Sequence, residues 1–137
     1  MHENTGMHET TRDRDRVMAA DPFTERLARV RARFISALES KIDDTFTAIP
    51  NLTGEDTSVF PAVEEAYRRI HGIVGVGPTV GFPLTGQAAR TVENILLRPR
   101  QAERGLTDEE MSSFKKALQA LREAAARELQ SFYAGCR

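Results

Sequence analysis

The strongest constraint on the fold is the spacing of apolar residues, which recur every three or four positions in four separate segments of the chain. This spacing places the apolar side chains on one face of an α-helix, and no segment shows the sustained alternation that is typical of a β-strand. Four amphipathic helices joined by short connections favour an antiparallel up-down four-helix bundle. We therefore predict an all-α domain over residues 21–137, preceded by a polar, flexible arm over residues 1–20.

Local signals mark the ends of the first two predicted helices. The first begins after Asp21, a capping residue that is followed by Pro22, and it ends at Pro50. The second is expected to be capped by Asp56 or Thr57. The residues expected to face the core in these two helices are Phe23, Leu27, Val30, Phe34, Leu38, Ile42, Phe46 and Ile49, then Val59, Val63, Ala66, Ile70 and Ile73.

Similar signals mark the other two predicted helices. The third follows Pro83 and gives way to a polar connection from Arg98 to Gly105. Thr107 and Glu110 form a capping box that opens the fourth. The residues expected to face the core here are Leu84, Ala88, Val92, Ile95 and Leu96, then Met111, Phe114, Leu118, Leu121, Ala125, Leu129 and Phe132.

Composition argues against several classes of function. The chain has 137 residues with 19 Lys+Arg against 20 Asp+Glu, so its net charge of −1 gives no basic surface for nucleic acid. No apolar run approaches the roughly 18 residues of a membrane span. The single cysteine, Cys136, forms no internal disulfide, which favours a cytoplasmic location, and no cysteine–histidine cluster predicts a metal site.

Four glycines follow one another closely towards the end of the second helix: Gly72, Gly75, Gly77 and Gly81. A glycine inside a helix costs about 1 kcal/mol relative to alanine, so the run needs a reason. Two interpretations stay open at this point. Either the helix ends there, or the backbone of a partner must come close to a surface that side chains would block.

His71 stands at the start of this glycine run. At about 100° per residue its side chain lies about 110° from the centre of the buried face, which places the imidazole on the solvent-facing flank. Its neighbours along the helix are Glu64, Arg68 and Gly75. Exposed histidines are common, so this position alone leaves a functional role and an ordinary surface residue both open.

Residues 68–97 resemble the signature of the histidine-containing phosphotransfer (HPt) domain, especially the form at the N-terminus of chemotaxis histidine kinases. The family pattern runs His-x-x-Lys-Gly, followed by Gly-Phe or Gly-Leu and then by a third helix that carries a glutamate. The matching residues, which stand in register without a gap, are His71, Gly75, Gly81, Phe82, Glu93 and Asn94.

This resemblance implies both a function and a set of roles. His71 corresponds to the phosphoacceptor, Gly75 to the glycine that lets a receiver domain approach, and Glu93 to the carboxylate that hydrogen-bonds the imidazole. The protein would relay a phosphoryl group between response-regulator receiver domains, or from a histidine kinase, as a carrier rather than a turnover enzyme. It would need no cofactor of its own, because the partner receiver supplies Mg²⁺, and it would be a monomer between encounters.

The sequence departs from the family at Val74, where the family has a lysine whose charge lies near the phosphoryl group. We expect Arg68 and Arg90, each one turn before His71 or Glu93, to supply that charge or to be solvated surface arginines, and Val74 to lie at an apolar docking rim. The alternative is a degenerate HPt-like bundle that binds a receiver or kinase as a regulator without carrying phosphate. A generic helical adaptor or dimerising bundle is the third interpretation.

Overall fold

The computed structural model describes residues 21–135, so the arm predicted over residues 1–20 lies outside the described residues, as does Cys136. Every regular element in the described part is helical. The four α-helices are α1 (Pro22–Ala48), α2 (Val59–Val76), α3 (Pro83–Ala102) and α4 (Asp108–Gly135), and two short 3₁₀ helices span Ile49–Asn51 and Pro78–Val80. Each α-helix packs against two neighbours, in the order α1, α2, α3, α4 and back to α1. The predicted all-α four-helix bundle is confirmed.

Side-chain caps hold two helix starts where the sequence predicts them. Asp21 Oδ1 accepts the backbone N–H of Thr24 at 3.1 Å, with Pro22 in the first turn of α1. At α4, Thr107 Oγ1 accepts the N–H of Glu110 at 3.0 Å, and Glu110 Oε1 accepts the N–H of Thr107 at 2.9 Å. These bonds satisfy amide groups that have no partner within the helix.

The predicted cap of α2 is wrong. Asp56 Oδ1 accepts the backbone N–H of Ser58 at 2.9 Å and its hydroxyl at 3.0 Å, which forms a turn ahead of the helix. The helix then begins at Val59 without a side-chain cap. An aspartate carboxylate readily accepts a hydrogen bond from the backbone N–H two residues further along the chain. The carboxylate of Asp56 makes this bond in the turn and does not cap the helix.

The core is built from the apolar faces predicted for the helices, with two corrections. Phe23 and Leu84 are exposed, at 65% and 55% of their surface. Arg31 Nε of α1 donates to the carbonyl of Val80, a residue beyond the end of α2, so the turns of α1 before Arg31 extend past α2 and leave Phe23 uncovered. On α3, Thr85 rather than Leu84 faces the core. The amide and the hydroxyl of Thr85 both donate hydrogen bonds to the carboxylate of Glu128 on α4.

The third helix is longer than predicted. It continues through Pro99 to Ala102, so the polar connection expected from Arg98 to Gly105 is wrong over residues 98–102, which are helical. Pro99 lacks an amide hydrogen and leaves one backbone carbonyl without its helical partner, but its ring is buried against the bundle. This extension keeps Arg100 on α3, two turns beyond Glu93.

The fold itself requires glycine at two of the four positions in the glycine run. A Cβ on Gly77 would lie 2.9 Å from the carbonyl oxygen of Ile73 and 3.2 Å from that of Phe82, so only glycine fits between these backbones. Gly81 has a φ of 98°, a left-handed conformation that side chains disfavour. Phe82 is buried, and its ring centroid lies 5.3 Å from that of Phe34, so it packs the turn between α2 and α3 against α1.

Candidate functional site

His71 of α2 and Glu93 of α3 are in direct contact across the interface between their helices. Nδ1 of His71 donates a hydrogen bond to Oε2 of Glu93. The side chain of His71 is 62% exposed, whereas that of Glu93 is 9% exposed. The two residues that the resemblance pairs are therefore brought together, with the carboxylate inside the bundle and the imidazole at its surface.

This bond determines which nitrogen of His71 can react. With the hydrogen held on Nδ1 by the carboxylate, the lone pair lies on Nε2. No residue within 21–135 makes a hydrogen bond to Nε2. A neutral imidazole in this tautomer is a nucleophile at Nε2, and the carboxylate stabilises the positive charge that the ring gains when Nε2 forms a bond.

Tyr67, one turn before His71, holds the imidazole from one face. The two rings are nearly parallel, at 12°, with their centroids 5.5 Å apart. The guanidinium carbon of Arg100 lies 4.2 Å from the centroid of the Tyr67 ring. The imidazole is thus oriented by a carboxylate at its edge and by an aromatic ring on its face.

Tyr67 and Arg100 are not among the site residues predicted from the sequence. Tyr67 lies four residues before His71, and this spacing on a helix predicts contact between two side chains. Arg100 carried no such signal, because the adjacent Pro99 is typical of a helix end.

Glu64 connects the cations on this face. Its carboxylate accepts hydrogen bonds from Arg100 Nε at 2.8 Å and Nη2 at 3.3 Å, and Arg68 Nη2 lies 3.6 Å away. The hydrogen bond from Arg100 lowers the pKa of Glu64, and the same bond raises the pKa of Arg100. Both arginines are therefore partly neutralised by one carboxylate.

The other predicted site residues fall into different environments. Arg68 is exposed on the face that carries His71, and Arg90 is exposed on α3 one turn before Glu93. Val74 is buried, with 9% of its surface exposed, because a position three residues after His71 turns back towards the core. The expectation that its side chain lies at an apolar docking rim is wrong.

Gly72 and Gly75 leave a strip of bare backbone beside the imidazole. A Cβ on Gly75 would meet no atom within 4 Å, and a Cβ on Gly72 would meet only Lys41 Nζ, at 3.5 Å. Neither glycine has a positive φ. Packing and backbone conformation therefore explain Gly77 and Gly81 but give no reason for glycine at these two helical positions.

Within residues 21–135 there is no group of three or more side chains that could hold a metal ion. None of the described helices is both long enough and apolar enough to cross a membrane.

No protein-family model, no curated protein and no solved structure matches this chain. The resemblance to the HPt family therefore rests on the matching residues of the sequence alone.

Proposed function

We propose that the protein is a histidine phosphotransfer protein that carries a phosphoryl group on Nε2 of His71. It would relay this group between response-regulator receiver domains, or take it from a histidine kinase, in the cytoplasm. The observation that carries the proposal is the hydrogen bond from an exposed imidazole to a buried carboxylate, that of Glu93, on the neighbouring helix of a four-helix bundle.

The chemistry needs little from the protein itself. The Nε2 lone pair attacks the phosphorus of a phospho-aspartate in line, an N–P bond forms, and the aspartate carboxylate leaves with the electrons of the broken P–O bond. The hydrogen on Nδ1 stays in place, and Glu93 stabilises the positive charge on the ring. Attack by a second aspartate reverses these steps, and the receiver supplies Mg²⁺ in both directions.

The surface around His71 suits a transient partner. The exposed imidazole stands one turn before Gly75, where a Cβ would meet no atom within 4 Å, so the backbone of a partner can come close there. Arg68 lies on the same face, and its positive charge favours the acidic edge of a receiver active site. We expect a monomer that forms short-lived complexes.

A second candidate is a degenerate HPt-like bundle that binds a receiver or kinase without accepting phosphate. One observation favours it: the position of the family lysine is taken by Val74, whose side chain is buried and carries no charge. The geometry of His71 and Glu93 favours the carrier, because a protein that only binds has no need for a buried carboxylate that orients an exposed imidazole.

One experiment separates the two candidates. The protein is incubated with a phosphorylated receiver, and separately with phosphoramidate, and is examined for acid-labile, alkali-stable label. Label on the wild type that is lost in His71→Gln supports the carrier, and His2 and His8 serve as internal controls for non-specific labelling. Binding to a receiver without any label supports the degenerate bundle, and the absence of both contradicts both candidates.

A further inference from the structure

A lysine from another helix lies beside Gly72, the residue that follows the proposed phosphoacceptor. Lys41 of α1 places its Nζ 3.5 Å from the point that a Cβ on Gly72 would occupy, and Gly72 directly follows His71. Lys41 is half-buried in a groove between α1 and α2, against apolar residues that include Phe34 and Val76. Its ammonium group therefore lies over Gly72, on the side of α2 that faces α1.

The charge of Lys41 is not neutralised by the carboxylates of the bundle. No acidic side chain within residues 21–135 forms a salt bridge with it. Arg68 and Arg100, by contrast, share the carboxylate of Glu64. Arg90 lies on α3, the helix that binds the Nδ1 edge of the imidazole, whereas Lys41 approaches from the opposite neighbour of α2.

The glycine at position 72 is explained if the ammonium group must pass over it. Its φ is not positive, and Lys41 Nζ is the nearest atom that a Cβ would meet. A helical glycine costs about 1 kcal/mol of folding free energy relative to alanine. Neither backbone conformation nor packing offsets this cost at Gly72. A side chain at this position would contact the ammonium group of Lys41.

We propose that Lys41 is the cation that neutralises the phosphoryl group on His71, in place of the lysine that the family carries at the position of Val74. This inference rests on the proposed function. A phosphoryl group carries close to two negative charges near neutral pH. The flexible stem of lysine lets the ammonium group cross the bare backbone of Gly72 and donate hydrogen bonds to the phosphoryl oxygens.

The test uses phosphoramidate, which needs no docking partner. Nε2 of His71 attacks its phosphorus, the N–P bond to His71 forms, and the P–N bond of the reagent breaks with release of ammonia. We compare the wild type with Lys41→Met, Lys41→Arg and Lys115→Met, following phosphohistidine by ³¹P NMR and checking the fold by circular dichroism. Lys115→Met removes the same charge from an exposed position on α4.

We expect Lys41→Met to be phosphorylated about two- to fivefold more slowly at low salt, with the difference shrinking at high ionic strength because a charge is being screened. Lys41→Arg should restore the rate, and Lys115→Met should match the wild type. A Lys41→Met rate equal to that of the wild type, or a loss that salt does not change, overturns the role of Lys41. No label on the wild type from phosphoramidate or from a receiver overturns the proposed function itself.

Discussion

The imidazole of His71 is 62% exposed, and the carboxylate of Glu93 that accepts its Nδ1 hydrogen is 9% exposed. Glu93 is the one charged residue among those buried within residues 21–135. Burial removes water from a carboxylate, and a single hydrogen bond from an imidazole replaces only part of that hydration. Burial of Glu93 therefore costs folding free energy, and in return the carboxylate orients the imidazole of His71.

Glu93→Gln should slow phosphorylation of His71 by at least about tenfold, because a neutral amide holds the ring but cannot stabilise its positive charge. The rate with phosphoramidate is the measurement, and ¹⁵N NMR of the imidazole reports the tautomer. Glu123→Gln, at an exposed position on α4, is the charge-matched control. An unchanged rate in Glu93→Gln contradicts the assigned role.

Tyr67 should act as a positioning residue through its ring rather than its hydroxyl. We expect Tyr67→Phe to retain the wild-type rate of phosphorylation and Tyr67→Leu to lose about two- to tenfold, in line with the energy of an aromatic pair. The resonances of the His71 ring should show increased motion in Tyr67→Leu alone. Equal rates in all three proteins would show that the stacked ring does not orient the imidazole.

Gly75 and Gly77, two residues apart, should respond to alanine in opposite directions. Gly75→Ala meets open space and should raise the free energy of unfolding by up to about 1 kcal/mol, whereas Gly77→Ala meets two carbonyl oxygens and should lower it by about 1–3 kcal/mol. Urea denaturation measures both. A change of the same sign in both variants is the outcome that contradicts the packing described here.

The same Gly75 position should also govern docking. Gly75→Leu places a side chain where a receiver would approach, so transfer from a phosphorylated receiver should slow more than phosphorylation by phosphoramidate does. The ratio of the two rates is the measurement. A ratio equal to that of the wild type would mean that partners do not approach over this glycine.

The start of α4 should be sensitive to acid. The hydrogen bond from Arg104 lowers the pKa of Glu110 from 4.5 to about 2. A folded-state pKa below the unfolded value means that the pair contributes stability above about pH 4.5, and that this contribution is lost as the pH falls towards 2. The free energy of unfolding should therefore differ between the wild type and Arg104→Met at pH 7 and converge near pH 2. Urea denaturation between pH 2 and pH 7 measures this difference in the free energy of unfolding. A difference that does not depend on pH contradicts a stabilising role for the Arg104–Glu110 ion pair.

Local patterns in the chain were sufficient to predict the four helices and the exposure of His71. Within a helix, the spacing of residues alone fixes which side chains share a face, so the inner face of α2 and the capping box at Thr107 followed from short stretches of sequence. The helix ends were less predictable. Pro99 is typical of a helix end, yet the burial of its ring lets α3 continue past it.

Formation of a bundle and the position of His71 on its solvent-facing flank can both be predicted from the amino-acid sequence, because both depend on the periodicity of single helices. The residues of other helices that surround the imidazole are known only from the packing of the bundle. Packing of α2 on α3 buries Glu93 against Nδ1 and brings Arg100 over Tyr67, and packing on α1 brings Lys41 to Gly72. These contacts depend on the relative rotation and offset of whole helices, which the summed packing of the core sets and no local pattern encodes.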